Sequence, residues 1–282
     1  MTNTQQRRVV ITGLGAICDL GCEVSNIWDG LCNGVSGIGM LDAFGQDESW
    51  SVRIAGQASC FDPLKYIPKM EVKRMDRFCA MALAAATEAA DSTGIDFDKG
   101  DPYSRGVAIG SGVGGIITVA EGMTKILKGG GSATRLSPFT VPKLMVNAAA
   151  GNVSIKYNLC GSNTSPATAC ATGGHAIGEA YHCISRGDAD LMFAGGAEAA
   201  ITEICVGAFS AMKALSTRND DPTRASRPFD RQRDGFVLAE GAAVVVLEEL
   251  EAAKARGATI YAEVLGFGCT GDAHHIAAPD PE

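Results

Sequence analysis

Cys170 is the residue whose type and setting most suggest chemistry. It follows residues 165–169 (SPATA), read as the end of a buried strand, and precedes the small residues Ala171, Thr172, Gly173 and Gly174. A cysteine one or two residues ahead of a helix places its sulfur among free N–H groups at the positive end of the helix dipole, which favours thiolate over thiol. Small neighbours let the chain turn sharply and let a thioester approach, as in the strand-turn-helix elbows of acyl-transfer enzymes. The competing reading is one more cysteine packed as a small hydrophobe.

A nucleophilic thiol wants a base or a positive partner, and the histidines are few: His175, His182, His274 and His275. His175 and His182 are seven apart, on nearly one helical face, and read as ordinary helix histidines. His274 and His275 fall in a loop beside Asp272, where either function or plain exposure fits. The other nine cysteines, at 18, 22, 32, 60, 79, 160, 183, 205 and 269, show no C-x-x-C spacing and do not cluster with histidine. No metal site is therefore expected, and most cysteines are read as small buried residues in a reducing compartment. The residues alone lead to acyl transfer and stop there.

Around these residues the chain reads as strands alternating with helices. Residues 7–13 (RRVVITG) form a strand that ends at Gly13, with Gly15 in a tight turn. A dinucleotide fingerprint would need a third glycine near Cys18 and is not met. Residues 72–92 have the spacing of an amphipathic helix stopped by Gly94. Residues 106–115 read as a strand entering a glycine-rich turn, followed by a helix through Leu127. A helix over about 143–158 leads to Gly161, and residues 163–170 (NTSPATAC) to a strand. A small-residue helix after Cys170, a buried strand over residues 189–199, and a strand over 235–250 entering a helix that ends at Gly257 complete the pattern. Strands apolar on both faces indicate an α/β fold with an at least partly parallel sheet. Residues 1–257 read as one unit carrying the nucleophile candidate. Residues 258–282 read as the first strand and loop of a second unit that the sequence opens and does not complete.

The chain has 282 residues with a formal net charge of -8, which disfavours a nucleic-acid binder working by bulk charge. Its 35 glycines exceed the roughly 7% of ordinary proteins, yet they follow no repeat. No apolar run reaches the ~18 residues of a membrane helix, and the polar start lacks a secretory pattern, so no membrane partner and a cytoplasmic location are expected.

The segments TACATGGHAIGEA around Cys170, DADLMFAGGAEA, the long run from Lys213 to Ala258, and IYAEVLGFGCTGDAHHI occur in an order that resembles the β-ketoacyl-[acyl-carrier-protein] synthases. The resemblance is greatest to the type II condensing enzymes and covers essentially the whole chain. It implies a thiolase-like layered αβαβα fold, with the C-terminal half mostly absent from this sequence, and a homodimer. It also implies a ping-pong condensation in fatty acid elongation. Cys170 takes an acyl chain from acyl carrier protein, malonyl carrier loses carbon dioxide, and the carbanion attacks the thioester to give a 3-oxoacyl carrier. No cofactor is implied beyond phosphopantetheine arriving on the carrier.

The resemblance further places Gly112 and Val113 at the acyl-pocket turn, where isoleucine is frequent in place of Val113. Phe209 is placed among the pocket aromatics, and Thr140 where a partner subunit often contributes phenylalanine. Asp272 and His275 match a mobile gating loop, and Lys69, Lys73, Arg74, Arg135 and Lys213 match a basic surface that receives the acidic carrier. The histidine and lysine motifs that drive malonyl decarboxylation in the family do not occur among these residues. These residues by themselves are therefore expected not to complete condensation. A non-catalytic or chain-length-determining subunit of a condensing heterodimer is the competing reading, and members of that type usually lack the nucleophilic cysteine.

Overall fold

In the computed structural model, which describes residues 6–45 and 47–281, one mixed six-stranded sheet is packed between helices on both faces. The elements are β1 (Val9–Ile17), α1 (Val24–Cys32), β2 (Ile38–Met40), β3 (Ile54–Gly56), α2 (Lys69–Val72) and α3 (Arg77–Thr93). There follow β4 (Arg105–Gly110), α4 (Ile116–Lys128), α5 (Thr140–Leu144), α6 (Ala148–Tyr157), β5 (Asn163–Thr164) and α7 (Thr172–Arg186). The chain continues through β6 (Leu191–Glu198), α8 (Glu203–Ala211), β7 (Gly241–Glu249), α9 (Leu250–Ala255) and β8 (Ala262–Val264). The sheet order is β5-β4-β6-β7-β1-β8, while β2 and β3 form a separate hairpin. Strands β5, β4 and β6 are mutually parallel; β6–β7, β7–β1 and β1–β8 are antiparallel.

Both faces of the central strands are apolar because each faces a different helical layer. Along β6 and β7, Leu191, Phe193, Val244 and Val246 point to α3 and α6, whereas Met192, Ala194, Val245 and Leu247 point to α7. This period-two alternation between two dry layers explains why the strands read as continuous hydrophobic runs. Residues 262–264 extend the same sheet by pairing with β1.

Several expectations are corrected. Strand β1 does not stop at Gly13 but runs through Gly13 and Gly15 to Ile17. These glycines serve close packing: a Cβ on Gly15 would lie 1.9 Å from the carbonyl oxygen of Ala85 in α3. The expected helix over 72–92 is two helices, and α3 is buried nearly all round, from Phe78 to Ala86 without interruption, rather than amphipathic. Its stop is as expected, with Gly94 left-handed at φ 68°. The helix expected over 143–158 is broken at extended Met145 into α5 and α6. Residues 163–170 are a strand only over Asn163–Thr164, because the Pro166 ring has no N–H to donate to a ladder.

The cysteines also differ from expectation. Cys22 and Cys60, 38 residues apart, are joined by a disulfide. Of the free ones only Cys79 and Cys183 are buried, while Cys32, Cys160, Cys170 and Cys269 are exposed. No local spacing signals the pairing, since it depends on the approach of two distant loops.

Gly151 lies inside α6 with nothing within 4 Å of an added Cβ. Gly151→Ala is expected to raise stability by about 0.5–1 kcal/mol by removing unfolded-state freedom, read as a higher urea midpoint. A lower midpoint would mean that this helix face is covered.

Candidate active site

The parallel strands β4 and β6 end side by side, and the turns that follow them meet the start of α7. Three glycines, Gly110, Gly173 and Gly196, make this junction tight. A Cβ on Gly110 would stand 2.1 Å from the Pro166 carbonyl oxygen and 2.4 Å from Cγ2 of Thr172. One on Gly196 would stand 3.2 Å from Cα of Gly173. The chain between Pro166 and α7 is thereby pressed onto the strand ends.

Cys170 sits in a 3₁₀ turn, residues 169–171, that leads directly into α7. It is exposed, and Ala169 before it has φ +50°, a left-handed conformation costly for a residue with a Cβ. The turn is braced from both sides. The amide of Thr168 donates to Oγ1 of buried Thr172 at 2.8 Å, and Thr168 Oγ1 pairs with His175 Nδ1 at 2.7 Å. The other ring nitrogen of His175 lies 3.2 Å from Cys269 Sγ. His175 is therefore a brace behind the cysteine turn rather than a plain helix histidine. The Thr168/Thr172 bracket, two residues either side of Cys170, is the signal in the sequence that marks this arrangement.

The turn after β4 touches the same place. A Cβ on Gly112 would lie 3.3 Å from Cα of Ala169, and the neighbouring Val113 side chain is 43% exposed. Glu198, the last residue of β6, holds this turn: the amides of Gly112 and Val113 both donate to its Oε2 at 2.8 Å, and the Ser111 hydroxyl to its Oε1 at 2.9 Å. The Gly114 amide donates in turn to Ser111 Oγ at 3.0 Å. Sequence reasoning missed Glu198, since a glutamate ending a strand looks like a surface residue.

Of the other residues singled out, Gly112 is brought to the Cys170 turn, and Val113 follows it, exposed. Thr140 opens α5, whose far end packs on Gly115. Phe209 lies edge-on to Phe236, 5.4 Å between centroids, in the apolar cluster of the β2–β3 hairpin. Asp272 and His275 are exposed and engaged with their own loop: Asp272 accepts from the His274 and Asp280 amides, and His275 Nδ1 from those of Ala277 and Ala278. His274 is likewise exposed. His182 packs against Phe267.

The five basic residues are all exposed. Lys69 is in α2 and Lys73 and Arg74 follow it at once, with the Arg74 guanidinium 5.0 Å over the Phe139 ring beside Thr140. Arg135 lines an open groove of about 630 Å³ with Lys125, Lys128 and Phe44, and Lys213 follows α8 with φ +57°. Among the described residues no helix is long and apolar enough to cross a membrane.

Comparison with known proteins agrees with this geometry. Residues 6–253 match the family model for the beta-ketoacyl synthase N-terminal domain. The chain is 47% identical to the 3-oxoacyl-[acyl-carrier-protein] synthase 2 of Coxiella burnetii over 278 residues, covering 99% of this chain and 66% of that protein. It thus spans slightly less than two thirds of the length of this curated relative. The crystal structure of a beta-ketoacyl synthase from Burkholderia phymatum STM815 superposes with TM-score 0.88 at 38% identity, over 97% of this chain and 66% of that one. The AntDE:AntF complex, a type II PKS acyl-carrier protein with its ketosynthase bound to the hexaketide, superposes with TM-score 0.86 at 33% identity, over 96% and 65%. The fold is accordingly the thiolase-like one of the ketosynthases. The chain belongs to the beta-ketoacyl synthase family, whose N-terminal domain it carries.

Proposed function

We propose that this chain provides the acyl-accepting part of a 3-oxoacyl-[acyl-carrier-protein] synthase, and that Cys170 is its nucleophile. The observation that carries this reading is the braced, exposed cysteine in the 3₁₀ turn that leads into α7, in a family of condensing enzymes. In the first half-reaction the Cys170 sulfur attacks the thioester carbon of an acyl chain held on the phosphopantetheine of acyl carrier protein. The carrier thiol leaves with the proton. The N-terminus of α7 stabilises negative charge on sulfur, and the Cys170 N–H donates to the tetrahedral oxyanion. The chain then resides on Cys170 until a malonyl-derived carbanion attacks it, giving the 3-oxoacyl carrier and carbon dioxide. The motifs that make this carbanion in the family are not among these 282 residues. Acyl transfer to Cys170 is thus the step these residues are asked to perform.

In this reading Gly112 and Val113 face the acyl chain, with Thr140 and Phe209 further along its path, and Asp272 and His275 belong to the loop that admits it. Lys69, Lys73, Arg74, Arg135 and Lys213 steer the acidic carrier. The enzyme works in the cytoplasm as a homodimer, without metal or resident organic cofactor. Residues 1–257 form its nucleophile-bearing half, and residues 258–282 open the other.

Iodoacetamide labelling at neutral pH, read by peptide mass spectrometry, tests the central claim. Cys170 is expected to label about tenfold or more faster than exposed Cys32, Cys160 and Cys269, because only it lies at a helix start. Burial, and next the charge of Asp76, pushes the Cys79 thiol from 9.0 up to about 12. Cys79 then has about 10³-fold less thiolate than an ordinary cysteine and stays unlabelled. Incubation with acyl carrier should add one acyl mass to the protein and none to Cys170→Ala. Equal labelling of all exposed cysteines, with no acyl transfer, would overturn the assignment.

A further inference from the structure

We infer that Glu198 is a positioning residue that sets acyl-chain selectivity, acting through the turn after β4; this rests on the reading of Gly112 and Val113 as the acyl-facing turn. Residues 110–115 (GSGVGG) contain four glycines in six positions, a composition that leaves the backbone free to wander. Yet the turn is defined, with Gly114 left-handed at φ +74°. Gly115 at its end is held by α5, its amide donating to the Leu144 carbonyl at 3.2 Å, and the amides before it are gathered by one side chain. Oε2 of Glu198 receives two successive amides, Gly112 and Val113, in the manner of an anion held in a backbone nest, while Oε1 receives Ser111. Ser111 is 1% exposed and passes the order on to the Gly114 amide.

Fixing the Val113 amide fixes its Cα, and so where its exposed side chain starts, one residue on from the Gly112 that meets Ala169. Glu198 stands at the end of β6, and Gly196, two residues earlier in the same strand, packs on Gly173 of α7. The same strand end therefore supports the turn that meets the chain and the helix that carries the sulfur. Nothing in this arrangement places the Glu198 carboxylate in the chemistry. Its effect is geometric, on how a straight apolar chain lies past Val113, and is absent for a ligand too short to reach that residue.

The test compares two electrophiles on Cys170 of the intact chain: iodoacetamide, which needs no pocket, and 1-iodododecane dispersed in mild detergent. Each forms a carbon–sulfur bond with loss of iodide. In the unaltered protein the long reagent is expected to favour Cys170 over Cys160 and Cys269. Glu198→Ala should lower that preference about tenfold with the iodoacetamide rate on Cys170 unchanged, because loss of three ordered hydrogen bonds frees the turn without touching the sulfur. Glu198→Gln, which keeps an oxygen for the two amides and an N–H for Ser111, should restore the preference to within about threefold. Ser111→Ala, which removes one of the three bonds to Glu198 and the acceptor of the Gly114 amide, should fall between and serves if Glu198→Ala does not fold.

A merely structural role would lower the thermal midpoint and slow both reagents alike. That result, or an unchanged long-chain preference in Glu198→Ala and Ser111→Ala, would overturn the inference. Failure of Cys170 to outpace the other thiols with iodoacetamide in the unaltered protein would instead overturn the functional reading on which it rests.

Discussion

Gly15→Ala is expected to destabilise the chain by about 3 kcal/mol or more, enough to leave little folded protein, because the added methyl has no space and nothing nearby can yield. Its carbon would sit 1.9 Å from the Ala85 carbonyl oxygen and 2.8 Å from the Ala89 amide nitrogen, both backbone atoms of α3. Gly13 is similarly placed, 2.4 Å from the Ala89 carbonyl oxygen. Helix α3 has no room to retreat, since it is buried without interruption from Phe78 to Ala86 and packs on α6 away from β1. Overpacking against backbone in a dry core brings strain that rotamer changes cannot relieve. Urea unfolding of Gly15→Ala beside Gly151→Ala measures the contrast. A loss below about 1 kcal/mol at Gly15 would mean that α3 does not lie against β1 in this way.

Arg77→Met is expected to cost about 3–5 kcal/mol, because it strands the carboxylate of Glu240 in the interior. Glu240 retains only 7% of its side-chain exposure and receives a two-pronged contact, Arg77 Nε to Oε2 at 2.8 Å and Nη2 to Oε1 at 2.7 Å. The Ala58 amide donates to the same carboxylate, and the Ala58 carbonyl accepts from Arg77. The pair thus ties the start of α3, the segment after β3 and the approach to β7. An arginine in the first helical turn opposes the helix dipole, and the ion pair outweighs this. Arg77→Lys should recover only part of the loss, having a point charge in place of the planar fork. The double change Arg77→Met with Glu240→Leu should recover most of it, leaving the Ala58 amide unmet at about 1–2 kcal/mol. An additive double mutant in denaturant titrations would contradict the coupling.

Much of the fold was legible in the chain. The helix stopped by Gly94, the strand running into the turn at residues 110–115, the start of α7 just after Cys170, and the strands apolar on both faces all follow from local pattern. These features depend on neighbours in sequence, where periodicity and glycine conformation act. The misreadings share one cause. Gly13 and Gly15 look like a turn until α3 is laid on β1, and the 163–170 strand looks complete until Pro166 interrupts it. Cys22 and Cys60 look unrelated until two loops meet.

The candidate site divides in the same way. A cysteine among small residues at a helix start is a local property, and the type and order of the residues around it are enough to raise acyl transfer. What surrounds it is not local. Glu198 lies 28 residues beyond Cys170 in the chain and the turn it orders almost 60 before it, and they meet because β4 and β6 are parallel neighbours ending at one level. His175 acquires a partner in Cys269 only when the last segment folds back over α7. Local pattern sets most helices, the two-faced strands and the thiol at a helix start, because periodicity and the helix dipole act over a few residues. Which carboxylate satisfies the glycine-rich turn, and which threonines and histidine brace the thiol, is settled by folding, because unpaired amides and hydroxyls find their partners across space.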